Sequence, residues 1–67
     1  MTGVDPQLAF RIRGEFLEMP GLRLTVSQAS KLWAMDPATS ERLLEALRQL
    51  GFLARSASGA YARTSAG

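Results

Sequence analysis

The chain has 67 residues, eight Lys or Arg against six Asp or Glu, a net charge of +2, 46% apolar residues and 21% charged ones, with no cysteine and no histidine. That length makes one small domain, 1–67, whose core supplies only about 3–5 kcal/mol of net stability, and the apolar fraction is too high for a disordered chain. Missing cysteine and histidine exclude a disulfide framework and a thiolate or imidazole metal site, and they remove the usual general base, so neither an enzyme nor a cofactor or metal is expected.

The first element is a helix over residues 6–18. Asp5-Pro6 is a start signal, with Asp capping and Pro in the first turn. Leu8, Ile12 and Phe16 recur on one face, with Phe10 and Leu17 seven apart on an adjoining one. So broad an apolar surface calls for two neighbours, and Phe10 and Leu17 are the dimerisation candidates. Glu15 and Glu18, one turn apart, read as a solvated face. Met19-Pro20-Gly21 breaks this helix, and 22–24 alternates as a short strand.

Thr25-Val26-Ser27-Gln28 is a capping box, the Thr hydroxyl serving the Gln28 amide and the Gln28 side chain returning to Thr25. It opens a second helix over 26–33 that turns Val26, Ala29, Leu32 and Trp33 inward. After a tight turn, Asp36-Pro37 starts a third helix over 37–50, where Ser40, Leu43, Leu44, Leu47 and Leu50 share one arc as the core face. Ala38, Arg42, Glu45 and Gln49 point the opposite way, with Thr39 and Glu41 on the flanks. The Ser40 hydroxyl is expected to bond the carbonyl one turn earlier. Gly51 ends the helix, and 52–64 holds two strand-like runs, Phe52-Leu53-Ala54-Arg55 and Ala60-Tyr61-Ala62-Arg63, around Ser56-Ala57-Ser58-Gly59. Residues 65–67 are expected to fray. After Glu45 the chain carries Arg48, Arg55 and Arg63 and no acid, so its C-terminal third is basic.

The order helix, short strand, helix, tight turn, helix, hairpin, with the motifs LRLTVSQASKLWAMDPATSERLLEALRQLGFL and a terminal hairpin containing Gly59 and Tyr61, resembles the winged helix-turn-helix family over residues 7–64. The resemblance implies a mainly α fold with a small β-hairpin: a three-helix bundle, a short first strand and a C-terminal two-stranded wing. It is similar to small stand-alone bacterial proteins. In that family the turn after the second helix commonly carries glycine where Ala34 stands. A positive φ there would cost alanine about 1–2 kcal/mol, and a helical turn would avoid the cost. Where Ser40 stands the family has a branched apolar residue, which implies looser packing.

What the resemblance implies for function is docking on double-stranded DNA, the third helix in the major groove and the wing on the backbone. Carried onto this chain it puts Ala38, Thr39 and Arg42 at base edges, Arg42 being able to make a bidentate contact with guanine. Ser27, Gln28, Arg55, Ser58, Gly59 and Arg63 fall at phosphates. Each has a plainer explanation: capping for Ser27 and Gln28, a solvated helix face for Arg42, and charge that discourages strand pairing for Arg55 and Arg63. Glu41 and Glu45 offset Arg42 and Arg48, so the third helix is about neutral. One copy would bind weakly, and a homodimer would remedy that. The expectation is a DNA-binding transcriptional regulator or accessory factor; the alternative is a module that docks a protein partner by the same surface. No export signal or membrane-spanning run is visible, which predicts a cytoplasmic protein without membrane contact.

Overall fold

The computed structural model describes residues 5–64; the tail expected to fray, 65–67, lies outside them. Three helices and a three-stranded antiparallel sheet follow one another as α1 (Pro6–Glu18), β1 (Arg23–Leu24), α2 (Val26–Leu32), α3 (Pro37–Gln49), β2 (Leu53–Arg55) and β3 (Tyr61–Arg63). None of these helices is long and apolar enough to cross a membrane.

Local chemistry places each helix end. The Asp5 carboxylate accepts from the Gln7 amide at 2.9 Å, and Pro6, which has no N–H to satisfy, fills the first turn of α1. The capping box on α2 is complete: the Gln28 amide donates to Thr25 Oγ1 at 3.2 Å and the Thr25 amide donates to Gln28 Oε1 at 3.0 Å. Asp36 Oδ2 accepts from Ala38 and Thr39 at the start of α3.

Helices α2 and α3 both stop at a left-handed residue. Beyond α3, Gly51 takes φ +83°, the Gly51 amide donates to the Arg48 carbonyl and the Phe52 amide donates to the Leu47 carbonyl at 3.0 Å, which together make a Schellman motif. Beyond α2, the Met35 amide donates to the Ser30 carbonyl at 2.9 Å across Ala34, whose φ is +53°. The turn is therefore left-handed at Ala34 rather than helical, and an alanine bears the strain that glycine would avoid.

The core is Ile12 and Phe16 of α1, Leu24 of β1, Ala29 of α2, Leu43, Leu44 and Leu47 of α3, Leu53 of β2 and Tyr61 of β3. Trp33 is half-buried, its ring edge-on to Phe16 at 6.4 Å between centroids. Three expectations about inward residues fail. Leu32 is 56% exposed, because Val26, Ala29 and Trp33 already define the buried side of this seven-residue helix and Leu32 stands about 100° from Trp33. Leu50 is 80% exposed: residues 48–51 are all exposed, so the last turn of α3 and its cap stand clear of the body whatever their angle on the wheel. Ser40 is fully buried as expected, but its hydroxyl has no hydrogen-bond partner among the described residues.

In the sheet β3 is central, flanked by β1 and β2. The registers pair Leu24 with Tyr61, and Arg55, Ala54 and Leu53 with Tyr61, Ala62 and Arg63. The inner face thus carries Leu24, Tyr61 and Leu53, with Arg55 and Arg63 at its corners; Arg23, Ala62 and Ala54 share the outer face. The first strand, read from the sequence as 22–24, is only Arg23–Leu24, and Leu22 lies in the turn that bonds back to the Met19 carbonyl.

Candidate functional site

The surface that the sequence singles out lies along the outer side of α3 and onto the β2–β3 hairpin. Ala38, Glu41 and Arg42 are exposed, whereas Thr39 is half-buried and its amide is taken by the Asp36 cap. Of the phosphate candidates at the start of α2, Ser27 is exposed with no hydrogen bond on its hydroxyl among the described residues. Gln28 commits its carbonyl oxygen to the capping box, which turns its amide NH2 outward as a donor. The capping role is therefore real and does not consume the whole side chain.

The hairpin tip is held by its own side chains. Ser56 Oγ and Ser58 Oγ lie 2.8 Å apart, the Ala60 amide donates to Ser56 Oγ, and the Gly59 amide donates to the Ser56 carbonyl at 2.9 Å, with Gly59 at φ +87°. Gly59 serves the turn through its positive φ, and its own N–H is spent inside it. The amides of Ala57 and Ser58 make no hydrogen bond among the described residues, so they are the donors this tip offers.

Arg55 and Arg63 do not form one patch. Arg55 is paired across the ladder with Tyr61 and its positive charge reaches Glu45 and Tyr61 on the α3 side. Arg63 pairs with Leu53 at the other end of the ladder, and its guanidinium lies over the Phe52 ring at 5.8 Å, where Arg13 of α1 also stacks at 5.3 Å. An open cleft of about 560 Å³ lies between the end of α3 and the edge of β2, lined by Arg48, Leu53, Ala54, Arg55, Ser56 and Ala57.

Glu45, expected to point away from the core side of α3, is half-buried and bonded to the sheet. Its Oε1 accepts from Arg48 Nε and Nη2 at 2.9 and 2.7 Å, and its Oε2 accepts a hydrogen bond from the Tyr61 hydroxyl. The hydrogen bonds from Arg48 and then from Tyr61 hold the Glu45 carboxyl below its ordinary pKa. Burial, and after it the bond to Glu45, pushes Tyr61 up to about 12. The network couples α3 to the central strand across 16 residues of sequence. Sequence reading missed it because the partners share no local spacing; the only available hint was a lone tyrosine at an inward strand position.

The network also decides which charges of the surface stay unpaired, without changing their sum. Glu45 and Arg48 form an ion pair and cancel, while Arg42, Arg55 and Arg63 make none among the described residues, leaving Arg42, Arg55 and Glu41 on the α3 side and Arg63 at the far end of the hairpin ladder. Comparison of the chain with protein-family models, with curated proteins and with solved structures found no match.

Proposed function

We propose that the protein is a small winged helix-turn-helix DNA-binding protein, a transcriptional regulator or accessory factor, that lays α3 in the major groove and the β2–β3 wing on the backbone. The observation that carries this reading is the Glu45 network: it anchors the hairpin to α3 and ties up Arg48, while Arg42 on the helix and Arg55 on the hairpin stay unpaired among the described residues and can meet a polyanion. In this pose Ala38, Thr39 and Arg42 face base edges, Ser27 and the Gln28 NH2 meet a phosphate at the start of α2, and the tip at Ser58 and Gly59 approaches the backbone. Arg63, set back beside Arg13, adds long-range attraction.

Duplex binding followed by fluorescence anisotropy at graded salt tests the reading. About three phosphate contacts give a log–log salt slope near −3. Arg42→Ala is expected to relax preference at one base pair, by about 1–3 kcal/mol of discrimination, while Arg55→Ala weakens every sequence alike and lowers the slope by about 1. Absence of duplex binding at low salt, or indifference to both substitutions, removes it. A second reading, a module that docks a protein partner, is favoured by the near balance of charge on α3 and by the exposure of Phe10 and Leu50 at 72% and 80%. Retained partner binding by Arg42→Ala and Arg55→Ala variants that leave DNA untouched would select it.

A further inference from the structure

Helix α1 presents a second apolar face that nothing among the described residues covers. On a wheel of 100° per residue, Phe10, Gly14 and Leu17 fall within roughly 60° of one another, opposite the buried Ile12 and Phe16. Phe10 is 72% exposed and Leu17 41%. Between them Gly14 has no reason inside the monomer: a Cβ built on it meets nothing within 4 Å, and its backbone is ordinary helix. Glycine in a helix interior destabilises relative to alanine, so Gly14 is a pure cost to the isolated chain. What it provides is a bare strip of backbone between two large side chains, the shape that receives a knob from another helix.

The charges beside this strip identify the occupant. Arg11 and Glu18 lie on the same flank, both exposed, seven residues and about 10 Å apart along the axis, too far to meet within the helix. Neither forms an ion pair among the described residues. The pattern is symmetric about Gly14: Phe10 and Arg11 stand four and three residues before it, Leu17 and Glu18 three and four after. An identical helix crossing antiparallel at Gly14 would seat Phe10 on the second copy's Leu17 and Arg11 beside the second copy's Glu18, each contact made twice, as a two-fold interface requires. On the other flank Arg13 would approach its own copy, and its stacking over Phe52 draws the guanidinium away from that axis.

We infer that the occupant of this face is a second copy of the same chain, α1 against α1, antiparallel with Gly14 at the two-fold axis. A single helix crossing falls below the roughly 1,200 Å² of a standard interface, so the dimer belongs to the weak, concentration-dependent class. This inference stands without the DNA reading, because its measurement contains no nucleic acid.

Sedimentation equilibrium of the full chain over a range of concentrations should show the 7.3 kDa monomer in exchange with a species of twice that mass. Phe10→Ser with Leu17→Ser should weaken association at least about ten-fold and leave the melting temperature in place, since both side chains are already exposed. Gly14→Ala should raise the melting temperature while Gly14→Leu weakens association. Arg11→Glu alone and Glu18→Arg alone should each weaken the dimer, and the two together should restore it, because antiparallel pairing exchanges both charges at once. A monomer at every concentration up to ~1 mM overturns the proposal, as does a dimer indifferent to the Phe10 and Leu17 substitutions; a double reversal that fails to restore association overturns the antiparallel register.

Discussion

Replacing Tyr61 by Phe removes one oxygen from the link between α3 and the sheet. Tyr61 is 1% exposed, its hydroxyl has one partner, and that partner is a carboxylate. Hydrogen bonds to charged groups contribute about 1.5–3 kcal/mol. Because the Glu45 side chain is 27% exposed and can recover water, the expected loss in Tyr61→Phe is the lower part of that range, about 1–2 kcal/mol. Glu45→Ala should cost more, since it strands the buried hydroxyl without a partner. Against the few kcal/mol of a domain this size, either loss moves a urea midpoint clearly, and the half-buried Trp33 beside Phe16 reports unfolding by fluorescence.

The same bond has a signature in pH. Tyr61 titrates at about 12 in the folded protein against an ordinary value of 10.0. A group that holds its proton more tightly when folded contributes its full stability below pH 10, and that contribution drains away as pH rises toward 12. Burial is the larger cause of the rise and the bond to Glu45 the next. Tyr61 is the chain's one tyrosine, so tyrosinate absorbance reads it without deconvolution. Wild type should titrate near 12 folded and near 10 in urea, and the alkaline loss of stability should vanish in Tyr61→Phe. Equal urea midpoints for wild type and Tyr61→Phe, or a folded absorbance midpoint at the unfolded value, would show that the hydroxyl contributes nothing through Glu45.

Two other substitutions probe places where the chain pays for its backbone or core. Ala34→Gly should stabilise by about 1 kcal/mol in urea unfolding, because glycine takes the left-handed conformation at the end of α2 without strain; no gain would mean that alanine's lower unfolded-state entropy offsets it fully. Ser40→Ala should stabilise by about 1 kcal/mol by removing a fully buried hydroxyl with no partner, and a loss instead would show that the hydroxyl is bonded.

Much of the fold was legible one residue at a time. The Asp-Pro starts of α1 and α3, the Thr25–Gln28 box and the Gly51 stop act within a turn or two, so their chemistry is present in the sequence before anything else folds. The same holds for Leu43, Leu44 and Leu47, whose spacing defines a side of a helix wherever that helix lies. What a helix is packed against is a different matter. The periodicity that marks Leu50 as inward runs on into the cap of α3, but burial stops where the neighbouring elements stop, and Leu50 lies beyond that limit; Leu32 stands off the side of α2 that Val26, Ala29 and Trp33 bury.

For the candidate site, the sequence supplied the exposed cations and the turn residues, and tertiary structure decided which charges remain unspent. A reading of α3 alone sets Glu41 and Glu45 against Arg42 and Arg48. Once Tyr61 arrives from the central strand, Glu45 is locked to it and to Arg48, and the surface is left to Arg42, Arg55 and Glu41. The choice of β3 as the middle strand and the separation of Arg55 from Arg63 have the same origin. Caps and helical periodicity are interactions between residues a few positions apart. Strand partners and buried ion networks are selected by which distant surfaces close on one another, and only the folded chain makes that selection.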